Sequence, residues 1–230
     1  GTVDRPWFSS LREKATFVFV INIDEASVAV GLFPNAKVIV SGNPMWEDFF
    51  NPELSRSEAR AKLEVVGDCN VVLCSGGKNL IVNILLFGGV IDAVHQIIEY
   101  RKDSQNWRVI LSPHPEDQNK IEVYGDLQKY SRVPVFLMEK EFALAPLILP
   151  GCDLVVESAS TLGIEAACQR IPVIDYFTET ALCRLEEGSG SRKWELCESG
   201  AAIAVRSGEL VERIFTIVER SGDTVPFLIA

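Results

Sequence analysis

Short apolar runs of strand length alternate with helix-length segments along most of this chain, and that rhythm limits the folds open to it. The runs fall at 17–22 (FVFVIN), 37–41 (KVIVS), 70–74 (NVVLC), 108–112 (RVILS), 133–137 (VPVFL), 153–156 (DLVV), 171–175 (IPVID) and 201–205 (AAIAV). Most are continuously apolar rather than alternating, as strands buried on both faces are. Ser55 with Glu58 forms a capping-box pattern opening a helix through Leu63, and segments around 82–102, 116–130, 142–149, 160–169 and 208–220 have helical length and mixed polarity. From residue 70 onward this order predicts an α/β protein: a Rossmann-like parallel sheet with helices on both faces.

Composition narrows the class. The chain has 230 residues, 47% hydrophobic and 23% charged, enough to bury one substantial core or two modest ones without covalent staples. Its six cysteines (Cys69, Cys74, Cys152, Cys168, Cys183 and Cys197) form no CxxC pair, and several sit in apolar runs. That usage predicts buried free thiols and a reducing, cytoplasmic setting. A net charge of −10 argues against broad nucleic-acid binding. No uninterrupted apolar run reaches the length of a transmembrane segment, and residues 1–20 lack a basic start followed by an apolar signal core.

Ligands of parallel sheets bind at the carboxyl ends of strands, so the chemistry should sit just after each apolar run. After 153–156 come Glu157, Ser158, Ala159, Ser160 and Thr161, then a helix carrying Glu165. Amides at a helix start are unpaired and partly positive, so they suit a phosphate, and Glu165 one turn further suits sugar hydroxyls. The plainer reading makes Ser158 or Ser160 a simple cap and Glu165 a solvated residue. After 70–74 comes Ser75-Gly76-Gly77-Lys78-Asn79, either a tight turn or a loop where backbone approaches a phosphate and Lys78 neutralises it. After 108–112 comes Pro113-His114-Pro115, a backbone-restricted histidine suited to phosphate donation or proton transfer, or a rigid strand exit. A fourth junction, Met138-Glu139-Lys140-Glu141-Phe142, is placed to border a base. His95, among Ile91, Val94 and Ile98, reads as structural.

The order of Gly42-Asn43-Pro44, the Gly-Gly loop, His114-Pro115 and STLGIEA from Ser160 to Ala166, with Pro172 beyond, resembles the nucleotide-binding half of the GT-B glycosyltransferase and sugar-nucleotide 2-epimerase superfamily. The resemblance spans about residues 37–220 and is similar to capsular-polysaccharide, lipid-A-disaccharide and murein-type transferases. It implies that Ser75, Gly76 and Gly77 border the diphosphate of a nucleotide sugar, most simply a UDP-sugar, and that His114 faces the donor. It also implies that Ser158, Ser160 and Thr161 contact phosphate and that Glu165 binds the ribose. Glu157 and Glu165, separated by seven residues, match the spacing of paired acids in many retaining transferases. His114 and Glu157 are thereby the catalytic candidates, and no cofactor or metal is implied. The 2-epimerases carry an HRREN-like segment where this chain has SGGKN, which counts against epimerase chemistry.

The same resemblance implies an acceptor domain ahead of the nucleotide domain. Residues 1–36 are too few to form one, so they read as the end of a preceding domain and a linker, with 37–230 as the nucleotide-sugar-binding domain. FVFVINIDEA resembles the closing strand of such a domain. The chain is then the carboxyl-terminal half of a longer protein, or works with a partner subunit that completes polysaccharide-synthesis chemistry. A noncatalytic nucleotide-binding or assembly module stays open as an alternative. A serine hydrolase using Ser158 or Ser160 is disfavoured, because there is no GxSxG elbow. The Gly188-Ser189-Gly190-Ser191 patch reads either as a mobile loop over the donor sugar or as a surface connection, and Phe227-Leu228-Ile229 as an apolar tail that packs back.

Overall fold

The computed structural model describes residues 6–102, 107–117, 120–138 and 144–220. The chain divides into two compact units, Gly1–Phe49 and Phe50–Ala230. In the first, β1 (Phe17–Val20) and β2 (Lys37–Val40) pair in parallel, joined by α1 (Ile23–Leu32). Asn22 caps α1 by accepting from the Glu25 amide, so the IDEA segment opens a helix instead of prolonging a closing strand. Val20, Ala26, Ala29 and Phe33 form the small core of this unit. Gly42, with φ of +69°, turns the chain after β2 in a conformation side-chain-bearing residues avoid.

The second unit carries the main sheet. Its elements are α2 (Arg56–Lys62), β3 (Asn70–Ser75), α3 (Leu80–Arg101), β4 (Trp107–Ser112), α4 (Lys120–Tyr130), β5 (Val135–Leu137), α5 (Leu144–Ile148), β6 (Leu154–Glu157), α6 (Thr161–Cys168), β7 (Val173–Tyr176), α7 (Glu179–Ser189), α8 (Glu195–Glu198), β8 (Ile203–Val205) and α9 (Leu210–Arg220). Every pairing is parallel and the strand order is β5-β4-β3-β6-β7-β8. The chain therefore builds outward from β3 through β4 to β5, returns to β6 beside β3, and builds outward the other way. That is the doubly wound order, and β3 and β6 flank its switch point.

Alternation along each strand sends side chains to two separate layers. Val72, Cys74, Val109, Leu111, Leu154, Val156 and Ile174 pack with Leu86, Phe87, Val90 and Val94 of α3 and with Leu210 and Ile214 of α9. Val71, Leu73, Ile110, Val155 and Val173 pack on the opposite face with Ala145 and Ile148 of α5 and Leu162 and Ala166 of α6. Both faces are covered, as the continuously apolar strands require. The α3 helix is long and apolar enough to cross a membrane by length and composition, but half of its most apolar window is buried within the protein.

All eight strands expected from the apolar runs are present, as is the Ser55 and Glu58 capping box. The Gly-Ser patch corrects the expectation of a loop. Thr178 caps α7 by accepting from the Ala181 amide, and Gly188 and Ser189 lie in its last turn. Gly190, at φ of +74°, closes that helix as a left-handed C-cap. Residues 139–143, including the Glu139 to Phe142 junction, and the Phe227-Leu228-Ile229 tail lie outside the described residues. The two most buried cysteines, Cys74 and Cys152, are free thiols whose burial pushes their pKa upward, whereas Cys183 is exposed. His95 ties α3 to the turn before β5, its Nε2 accepting from the Arg132 amide at 3.0 Å.

Candidate functional site

At the switch point β3 ends on Ser75 and β6 on Glu157, register partners across the parallel pair. Ser75 is almost wholly buried, and its Oγ lies 3.0 Å from the Oγ of Ser160. Ser160 is the N-cap of α6 and also accepts from the Leu162 amide at 3.3 Å. Two residues far apart in sequence thus meet at the mouth of the crevice. Ser158 is half-buried beside them, Thr161 is exposed, and Glu165 is half-buried one turn into α6. Burial pushes the Glu165 carboxyl above the usual carboxylate range.

Glu157, a catalytic candidate by the resemblance, lies under the start of α6. It is fully buried, and its Oε2 accepts from the Ser160 amide at 2.9 Å and the Gly163 amide at 3.2 Å. The carboxyl therefore occupies part of the helix start that the sequence assigns to a phosphate. Of the first-turn amides only Thr161 has no acceptor among the described residues. Gly163 is needed for this fit, because a Cβ there would fall 2.2 Å from Glu157 Oε1. Asp175, the β7 register partner of Glu157, is buried too and accepts from the Ala159 amide at 3.2 Å and the Cys197 thiol at 3.0 Å. Burial first, and then each other's proximity, raise the Glu157 pKa well above the ordinary range, and burial also raises that of Asp175. Glu157 Oε1 has no hydrogen-bond partner among the described residues, so burial beside Asp175 favours the protonated, neutral form of this acid. Ala159 between them takes φ of +54°, a left-handed turn that costs a non-glycine residue about 1 kcal/mol.

The glycine loop and the histidine turn lie beside this crevice. The Gly76 amide donates to the Ser112 carbonyl at 2.9 Å, tying the exit of β3 to the end of β4. Gly76 has no room for a side chain: a Cβ would meet Asn83 Oδ1 and Phe87 Cζ, each at 2.9 Å. His114 Nδ1 accepts from the Glu116 amide at 3.1 Å. Neutral His114 consequently carries its proton on Nε2, as a donor. Lys78 pairs with Glu116 at 2.8 Å, and both side chains are exposed. Such an exposed, solvent-screened pair contributes little, so an incoming anion can take Lys78 from it.

Sequence reasoning missed the residues that hold these loops. Asn83, on α3 and fully buried, accepts from the Gly77 amide through Oδ1 at 2.8 Å and donates through Nδ2 to the Gly77 carbonyl at 2.8 Å. The same Nδ2 lies 2.9 Å from Asp117 Oδ2 and 3.1 Å from Tyr124 Oη. Tyr124 in turn donates to Asp117 Oδ2 at 2.5 Å. A sequence signal existed in Asn83 as a polar residue inside the apolar LIVNILLF run of α3.

No family model matches the sequence, and no curated protein matches it. Solved structures do share its fold. A UDP-GlcNAc 2-epimerase from Neisseria meningitidis bound to UDP-GlcNAc aligns with a TM-score of 0.62 at 15% identity, over 96% of this chain and 56% of that one. A UDP-GlcNAc 2-epimerase from Methanocaldococcus jannaschii aligns at 0.57 with 17% identity, over 89% and 54%. A glycosyltransferase from Rickettsia africae aligns at 0.52 with 14% identity, over 95% and 58%. The chain spans about half the length of these proteins. The likeness is one of fold: this chain has the α/β, Rossmann-like architecture of one half of a GT-B protein.

Proposed function

We propose that this chain is the donor-binding half of a glycosyltransferase that uses a nucleotide sugar. The observation that carries the reading is the Ser75 and Ser160 hydroxyl pair at the switch point of a doubly wound parallel sheet, where such sheets bind their ligands. In this reading the diphosphate lies against the Thr161 amide and the Ser158, Ser160 and Thr161 hydroxyls. Ser75, almost buried, acts by orienting Ser160. His114 Nε2–H and Lys78 reach the diphosphate from the neighbouring turns, and Glu165 accepts from the ribose hydroxyls. As the glycosidic bond to the leaving nucleoside diphosphate breaks, charge grows on its oxygens, and these preorganised donors stabilise it. Glu157, with its carboxyl under α6, shapes the helix start and takes no part in bond making. The general base for the acceptor comes from a domain or subunit other than this one.

Uridine is the first base to test, because the Neisseria neighbour is described as bound to UDP-GlcNAc. Epimerisation is the competing chemistry, since two of the three neighbours described above are 2-epimerases. Calorimetric titration with UDP, CDP, GDP and ADP tests the proposal. We expect selective binding of one nucleoside diphosphate, weakened about tenfold or more in Ser160→Ala and Glu165→Ala, as expected when a charge-assisted hydrogen bond is lost. Binding by none of the four overturns the reading. Incubation with UDP-GlcNAc followed by NMR of the sugar separates the chemistries, because epimerised sugar without any acceptor identifies an epimerase half.

A further inference from the structure

The two turns that border the candidate site belong to different βα units, yet both are fastened to the same buried amide. Gly77 is gripped from both sides, its N–H donating to Asn83 Oδ1 and its carbonyl accepting from Asn83 Nδ2, each at 2.8 Å. Asn83 Nδ2 also faces Asp117 Oδ2 at 2.9 Å. Asp117 closes the His114 turn, since its amide donates to the His114 carbonyl at 2.9 Å. Tyr124, reaching in from α4 and fully buried, donates to the same Asp117 oxygen and packs edge-on against Phe87 with ring centroids 5.0 Å apart. Phe87 and Asn83 together fill the space that a side chain on Gly76 would need.

An amide carries two donors and one acceptor in a fixed plane, so gripping Gly77 settles the direction in which its remaining capacity points. Here that direction is Asp117. We infer that Asn83 is a positioning residue that locks the Gly76-Gly77 loop and the His114 turn into one ligand-ready arrangement, with Asp117 and Tyr124 fixing the orientation of its amide. The inference rests on the donor-site reading for what the loops bind, but the lock is a property of the protein without ligand. The Gly76 amide also donates to the Ser112 carbonyl at the base of the two turns, and at their tips the exposed Lys78 and Glu116 pair is too weak to hold them. Without Asn83, Lys78 and His114 Nε2 lose their common frame, and a diphosphate has to order both turns as it binds. That ordering cost appears as lost affinity.

The test is hydrogen–deuterium exchange of the chain without nucleotide, followed by UDP titration, on wild type, Asn83→Ala and Tyr124→Phe. In Asn83→Ala we expect amides at Gly77 and at Glu116 and Asp117 to exchange faster together, by about tenfold for the loss of a buried hydrogen bond, with β3 and β4 unchanged. UDP affinity should fall by a similar factor. Tyr124→Phe keeps the ring against Phe87 and removes only the hydroxyl, so both turns should loosen together and to a smaller extent. It decides the matter should Asn83→Ala fail to fold. Faster exchange confined to the glycine loop, or unchanged exchange in both turns, overturns the inference. If both turns loosen together but wild type binds none of UDP, CDP, GDP and ADP, the lock stands and the donor-site reading fails.

Discussion

Beneath α6, two carboxyls share a volume that excludes water, and this fixes how Glu157 responds to pH. In the folded chain both Glu157 and Asp175 have raised pKa values, chiefly from burial. Below the ordinary carboxylate range, folded and unfolded chains hold the same protons. As pH rises above that range the unfolded chain releases the pair's protons while the folded chain keeps one, so stability falls with rising pH. The slope is about 1.4 kcal/mol per pH unit for each retained proton, until pH passes the pair's own raised value. Glu157→Gln replaces the protonated acid with a neutral isostere that still accepts from the Ser160 and Gly163 amides. Urea unfolding between about pH 5 and 7 should show a flatter stability profile for Glu157→Gln than for wild type. Parallel profiles would remove the retained proton from the account. The sequence marked Glu157 as a catalytic candidate spaced from Glu165 but not as a buried acid, because its burial depends on β7 bringing Asp175 alongside. Asn83 showed only as a polar residue in an apolar run, and its partners Asp117 and Tyr124, 34 and 41 residues away, lay beyond any local pattern.

At the scale of elements, α2 is anchored to the start of β6 by one acid. Asp153 accepts from Arg60 at 3.3 Å and from the Val71 amide at 2.8 Å, and it also pairs with Arg56. Arg60 and Asp153 are both nearly buried, with side chains 14% and 11% exposed, so their pairing is not screened as surface pairs are. Asp153→Ala leaves the Arg60 guanidinium without its counter-charge and the first amide inside β3 without its acceptor. It should cost about 3 kcal/mol, whereas Lys129→Ala, which removes an exposed pair with Asp126, should cost under about 0.5 kcal/mol. Guanidinium unfolding of the two variants measures the contrast, and equal losses would mean that Asp153 is no anchor. The strands and α2 were legible because continuous apolar runs and a capping box are local signals. The α1 and α7 helices were not. Ile23–Leu32 follows FVFVIN with little polar contrast, and the Gly188 to Ser191 patch ends α7 in residues that favour turns. In both cases a single cap, Asn22 or Thr178, fixes a helix that composition does not announce.

Across the molecule, the two units differ in how completely each meets the demands of a parallel sheet. The six strands of Phe50–Ala230 have apolar layers on both faces, and the candidate residues Ser75, Gly76, Gly77, Lys78, His114, Ser158, Ser160, Thr161 and Glu165 all lie in this unit. Among its described residues the Gly1–Phe49 unit has two strands and one α-helix, α1, of 10 residues. Phe17 and Phe19 on one face of its β1 are 55% and 64% exposed, while Val20 on the other face is buried with α1. A two-stranded parallel sheet with one face uncovered does not bury enough apolar surface to offset the entropy of ordering its backbone. Residues 50–230 alone should therefore unfold cooperatively and bind the same nucleoside diphosphate as the full chain, within about twofold, whereas residues 1–49 alone should show no cooperative transition by circular dichroism. The comparison separates two causes of lost binding. If the 50–230 fragment folds but no longer binds, the ligand depends on the amino-terminal unit and the switch-point crevice is not a complete site. If the fragment cannot fold, the two-layer core of the six-stranded sheet is insufficient by itself, and the site's rigidity has to come from beyond the strands that frame it.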